Sequence, residues 1–185
     1  GVTTIGNYAF WNCTSLTSVV IPSSVTKIGD KAFRGCTSLK SIEFPQSLTV
    51  IDYEAFKDCS SLTSVVIPSS VTEIIGNAFE GCSSLTSIVV EEGNSVYDSR
   101  EGCNVIIETA TNKLIRGGNS TIIPSSVTEI LGGAFWGCTS LTSIVIPEGV
   151  TAIGYRVFQN CTSLTSVVIP SSVTKIGDKA FRGCT

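Results

Sequence analysis

The sequence has 185 residues and contains neither histidine nor methionine. Without histidine, mechanisms that need imidazole are excluded: serine–histidine triads, cysteine–histidine pairs and histidine-ligated metals. Without methionine the sequence as written has no initiator, so a processed chain or a piece of a longer one is expected. Charge is scarce, at 15% of residues with a net charge of −3. No basic patch stands out, which argues against nucleic acid as a partner. Long apolar runs are also missing. The chain is 42% hydrophobic, yet no segment approaches the roughly 18 consecutive apolar residues of a membrane span. Residues 1–10 lack the basic start and apolar core of a signal peptide. No carboxylate pair, glycine-rich phosphate loop or nucleophile–base constellation is evident, so neither catalysis nor a cofactor is expected.

What the sequence has in abundance is repetition. The pattern V/L-T-x-I begins at Val2, Val25, Leu48 and Val71, then at Val127, Val150 and Val173, with a spacing of 23 residues inside each run. The longer step from Val71 to Val127 leaves room for one irregular unit of 33 residues, at about 94–126. The stretch VTKIGDKAFRGCT occurs letter for letter at 25–37 and 173–185.

Each column of the repeat has a physical reading. Phe10, Phe33, Phe56, Phe79, Phe135, Phe158 and Phe181 form one column, and Leu16, Leu39, Leu62, Leu85, Leu141 and Leu164 another; both read as core. SVVIP alternates as a strand does, with Val19 and Ile21 facing one way and Ser18 and Val20 the other. All six prolines directly follow this strand, where a missing N–H is least harmful. GDKAFRG predicts one short helical or 3₁₀ turn, with Asn7 or Asp30 available as a cap. The residue before each repeat cysteine is Gly, Asn or Asp, the types that tolerate a left-handed turn. A unit is therefore expected to run strand, turn, short helical turn, return. No unit can bury its apolar face alone. Stacked units share a core to which each buried Phe, Leu or Ile adds roughly 1.5–3 kcal/mol, so the pattern predicts a solenoid with a parallel sheet on one face.

Seven of the eight cysteines fall in one column: Cys13, Cys36, Cys59, Cys82, Cys138, Cys161 and Cys184. There is no close pair for zinc. Stacked positions about 4.8 Å apart suit a disulfide poorly, since its Cβ atoms want a separation of about 3.8 Å. The column is expected to be a ladder of buried thiols acting as small hydrophobes, with Cys103, in the irregular unit, the first candidate for an exception.

With L-x-x-V-x-I-P and A-F-x-x-C-x-S-L in place, nearly the whole chain resembles the BspA-like, or Treponema-type, leucine-rich repeats. The irregular unit is similar to those of such proteins, which run N-x-x-Y-x-S-x-x-G into a β-hairpin; here NVIIE and KLIRG would be the arms and TATN the turn. The resemblance implies a single α/β leucine-rich-repeat domain over 1–185: a right-handed arc with its parallel sheet on the concave face and short helical or 3₁₀ turns on the convex side. It also implies an extracellular or cell-surface protein of a host-associated bacterium or protist, with a role in adhesion or protein binding. The abrupt start and finish of the repeat suggest a cut through a longer array.

On such an arc the outward strand positions would line the concave face: Val20, Glu43, Val66, Val89, Ile122, Val145 and Val168. Two readings stay open, an apolar stripe that binds a protein partner and simple β-propensity. Trp11 and Trp136 stand in a column otherwise charged or polar and are candidate exposed aromatics, although packing over a neighbouring unit is the plainer account. Sequons occur at Asn12, Asn119 and Asn160. The hairpin at about 104–117 is expected either to project and carry specificity or to act as a spacer. A binding module and a structural spacer, the latter able to self-associate through its open ends, are the two functions in view.

Overall fold

A computed structural model describes all 185 residues as a β-solenoid of about eight turns. Two parallel ladders run along it. The first is built from V-T-x-I, a segment for which the repeat pattern predicts no strand. Strands β1 (Thr4–Ile5), β2 (Lys27–Ile28), β3 (Val50–Ile51) and β5 (Glu73–Ile74) pair in the register Ile5–Ile28–Ile51–Ile74. The second is the expected S-V-x-I ladder. In it β4 (Ser64–Ile67) pairs with β6 (Ser87–Val90), and β11 (Ser143–Val145) with β13 (Ser166–Val168), while a single bridge joins Val20 to Glu43.

The corner between the ladders explains the P-x-S-V column. The amide of Val25 donates to the carbonyl of Pro22 at 3.0 Å, and that of Leu48 to Pro45 at 3.0 Å. Ser47 and Ser70 hydroxyls reach the carbonyls of Val25 and Leu48 in the preceding turn, each at 2.6 Å. The corner serine thus ties one turn to the next.

The side opposite the S-V-x-I ladder is not helical, which corrects the expectation of helical or 3₁₀ turns there; the only 3₁₀ turn is Arg100–Gly102, in the irregular unit. Amides alternate in purpose instead. In the second unit those of Ala32, Arg34 and Cys36 close tight turns onto Gly29, Lys31 and Phe33, while those of Lys31, Phe33 and Gly35 donate to Tyr53, Ala55 and Lys57 of the next unit at 2.8–2.9 Å. A helix would spend every amide internally. Here every second one crosses to the neighbour, which requires left-handed backbone at two columns. One is the residue before each cysteine, as expected: Asn12, Gly35, Asp58, Gly81, Gly137, Asn160 and Gly183 all have positive φ. The other carries Tyr8, Lys31, Glu54, Arg156 and Lys179, residue types that give no sequence signal. Asn7 does not cap a helix; its Oδ1 accepts from the amide of Asp30 one turn away, at 3.0 Å.

The irregular unit holds β7 (Tyr97–Asp98), β8 (Val105–Glu108) and β9 (Lys113–Gly117), joined antiparallel. The hairpin is therefore where it was expected, but it does not project. Strand β9 continues in parallel into β10 (Glu129–Ile130), β12 (Ala152–Ile153) and β14 (Lys175–Ile176), and Val105, Ile106, Ile107 and Leu114 are completely buried. Alternation along β8 splits its side chains: Ile106 joins a core of 26 buried residues reaching back to Ile21, whereas Val105 and Ile107 join a core of 20 reaching on to Ala180. The free edge of β5 is capped by a side chain, the Ile74 amide donating to the Tyr97 hydroxyl at 2.9 Å.

Candidate functional site

The phenylalanine column is a stack. Phe10, Phe33, Phe56 and Phe79 lie face to face with centroids 4.9–5.4 Å apart, and Phe135, Phe158 and Phe181 at 5.1–5.3 Å. The thiols run beside it. Cys36, Cys59, Cys82, Cys161 and Cys184 each donate to the carbonyl of the phenylalanine 26 residues earlier, at 3.1–3.2 Å. All eight cysteines are free thiols; Cys13 and Cys184, in the terminal turns, are half-buried and the others buried. Burial pushes the Cys36 thiol up to about 11 and the Cys82 and Cys161 thiols up to about 12. These are protonated, unreactive groups in ordinary conditions. Cys103 is no exception: it is buried, and burial raises its thiol too.

All seven positions expected to face outward reach solvent. Val20 is 91% exposed, Ile122 75% and Val145 62%, with Val66, Val89 and Val168 between 42% and 53%; Glu43 is exposed as well. The ladder register sets Val66 beside Val89 and Val145 beside Val168. Ile122 lies outside any strand, and between it and Val145 opens a cleft of about 320 Å³ lined by Thr121, Ile123, Ser143, Ile144 and Pro147. The row therefore forms two apolar patches around the irregular unit, where side chains replace the ladder: the Val90 amide donates to Ser99 Oγ at 2.9 Å.

The two tryptophans part company. Trp11 is 53% exposed, its ring edge-on to Tyr8. Trp136 is half-buried rather than exposed: its ring lies against Gly81 and beneath Lys57 Nζ, 5.7 Å from the centroid. Of the sequons, Asn12 and Asn160 are exposed. The side chain of Asn119 is engaged, donating to the Ser83 carbonyl at 2.8 Å and accepting from the Ser140 amide at 3.0 Å.

A charged chain runs along the turns between units. Arg34 pairs with Glu54, and Lys57 bridges Glu54 at 3.0 Å and Glu80 at 3.1 Å. Burial works against the Lys57 ammonium, but the two carboxylates outweigh it and hold its pKa above the usual lysine value. This network gave no sequence signal, because its members come from one variable column and its neighbour three residues away.

A family model described as BspA type leucine rich repeat region matches residues 3–113 and 116–185 in six copies. A leucine rich cell surface protein from Faecalibacterium prausnitzii is 30% identical with a TM-score of 0.77, over 99% of this chain and 55% of its own. A leucine rich repeat protein from T. pallidum is 33% identical with a TM-score of 0.57, over 99% of this chain and 70% of its own. The pneumococcal vaccine antigen PcpA shares the fold, with a TM-score of 0.82 at 24% identity over 99% of this chain and 52% of its own. The chain thus spans about half the length of two of these proteins. No curated protein matches.

Proposed function

The chain belongs to the BspA-type leucine-rich repeat family, and we propose that it is a non-catalytic protein-binding or adhesion module of a secreted or cell-surface protein, which engages a protein partner through the exposed S-V-x-I face. The observation that carries this reading is the row Val20, Val66, Val89, Ile122, Val145 and Val168, six large apolar side chains at least 42% exposed on a ladder whose opposite face is core. Exposed apolar patches of this kind mark interfaces, and side chains already held on paired strands spend little ordering entropy on binding. The similarity to a leucine rich cell surface protein supports the location. The test is surface plasmon resonance against host matrix proteins and surface proteins of co-resident bacteria. Val66→Glu with Val145→Glu should abolish capture of a bound protein while leaving the melting temperature unchanged; capture undiminished in the folded double variant would overturn the reading.

A further inference from the structure

The S-V-x-I ladder is not continuous across the irregular unit. Strand β11 has β13 as its only strand partner. The Thr142 carbonyl accepts from the Ser166 amide at 3.3 Å, and the Ile146 amide donates to the Val168 carbonyl at 3.0 Å, so the even-numbered residues bond towards β13. In a parallel ladder the residues between them point their amides and carbonyls the other way. The main-chain groups of Ser143 and Val145 therefore face residues 120–123 of the irregular unit. There the Ser120 carbonyl already accepts from Asn104 Nδ2 at 3.0 Å, and the Ile122 amide donates to the Cys103 carbonyl at 3.2 Å. Thr121 and Ile123 are left opposite β11, and no main-chain bond joins the two edges. The cleft of about 320 Å³ occupies this gap. Contacts close both of its ends: the Ser140 amide donates to Asn119 Oδ1 at 3.0 Å, and a Cβ on Gly149 would lie 2.9 Å from the Val127 carbonyl oxygen. The slot is short, with Thr121, Ile123 and Ile144 buried at its floor and Ile122 and Val145 exposed at its rim.

Charge narrows the choice of occupant. The S-V-x-I segments and the corners that follow them hold one cation, Lys40, and four carboxylates, Glu43, Glu91, Glu92 and Glu148. Together these carry the whole net charge of −3. The ion pairs of the chain all lie elsewhere. Glu148 is exposed and directly follows Pro147 of the cleft wall. An acidic face repels nucleic acid, and the lining has no aromatic ring on which a sugar or base could stack. Unpaired amides and carbonyls along a strand edge are instead a template for extended backbone. An extended peptide supplies donors and acceptors together, an apolar side chain for the floor and a basic residue for Glu148.

We propose that this cleft docks an extended segment of the protein partner. One valine, isoleucine or leucine side chain enters between Ile122 and Val145, the peptide groups beside it bond Ser143 and Val145, and an adjacent lysine or arginine meets Glu148. This docking rests on the reading of the S-V-x-I face as a protein-binding surface. The probe is a library of synthetic hexapeptides with a central Val, Ile, Leu or Ser flanked by Lys, Ser or Glu, titrated against the intact chain by fluorescence anisotropy. Peptides with an aliphatic centre and a flanking lysine should bind tightest. Ser143→Pro removes an amide that β13 does not use and should weaken them about tenfold, the loss of one hydrogen bond. Glu148→Lys should weaken them about threefold, as for an exposed ion pair. In the unmutated chain the Ser143 and Val145 amides should gain exchange protection when peptide is added, so the test holds even where a variant fails to fold. Retention of no peptide at millimolar concentration, with protein capture still lost in Val66→Glu, overturns the docking and leaves the face reading in place. Capture undiminished in the folded Val66→Glu, Val145→Glu chain overturns the face reading itself. Tighter binding of glutamate-flanked or serine-centred peptides, or exchange protection confined to other residues, also overturns the docking.

Discussion

In a regular unit each turn gives its neighbour a phenylalanine ring, a thiol and alternate backbone amides. In the irregular unit Arg116 and Gly117 stand where ring and thiol contact would be. Arg116 is 4% exposed; instead of pairing with a carboxylate it donates to the carbonyls of Gly133 at 3.3 Å and Trp136 at 3.2 Å. Gly117 leaves room for the Phe135 ring, whose Cε1 lies 2.1 Å from where a Cβ would be. The Gly117 carbonyl takes the long thiol contact from Cys138, 3.6 Å, in place of a phenylalanine carbonyl. The contrast teaches how a solenoid survives an interruption. Identical turns extend a core by repetition, because each column meets its own kind. A dissimilar turn must terminate two cores and satisfy the backbone groups that the missing repeat would have paired.

That contrast can be broken at several points, and the largest effect is expected inside a regular stack. Phe56→Ala empties a completely buried position between two rings and should destabilise the protein by about 3–5 kcal/mol. Hydrogen exchange should then rise mainly before the irregular unit; an equal rise on both sides would mean that the two cores unfold as one. Next, Gly117→Val forces a side chain onto Phe135 and should cost about 3 kcal/mol by overpacking. In urea melts a neutral result would show that the stack can shift to admit it. Arg116→Met keeps the volume but removes the donors to Gly133 and Trp136, and should cost about 2 kcal/mol, chiefly for the orphaned Trp136 carbonyl, since that of Gly133 still accepts from the Trp136 amide. Greater stability in this variant would show instead that burying the charge outweighs its hydrogen bonds.

The smallest effect per residue comes with pH. The Cys36, Cys82 and Cys161 thiols are raised from about 9 to about 11–12 in the fold. The native chain therefore keeps protons that the unfolded chain releases. Stability from these thiols is complete below about pH 9 and is lost as pH climbs through the folded values. The urea midpoint should hold up to about pH 9 and fall between about pH 9 and pH 11, and a Cys36→Ala, Cys82→Ala, Cys161→Ala chain should show a shallower fall. An equal fall in both chains would assign the pH dependence to other groups.

Much of this molecule was legible as text, because a repeat makes each structural position appear many times. The Phe, Leu and Cys columns recur at one spacing, and a column that is always apolar can only be core. The left-handed position before each cysteine was legible because only Gly, Asn and Asp fill it. The second left-handed column, at Tyr8, Lys31, Glu54, Arg156 and Lys179, was not, since those residues adopt positive φ only under tertiary constraint. The V-T-x-I ladder was not legible for a related reason: two-residue strands carry too short a pattern to register as period two. The exposed row on the S-V-x-I face was legible as well, from the period-two alternation of its strands.

Sequence alone determined that the chain is a solenoid, where its repeat fails, and which residues fill its core, because burial of like columns against like depends only on spacing. Tertiary structure alone decided how the turns share their amides, that the hairpin closes two cores rather than projecting, and which half-buried charges and rings meet at the break. Those outcomes depend on hydrogen-bond geometry and on contacts between turns far apart in the chain, and neither is written in any single repeat.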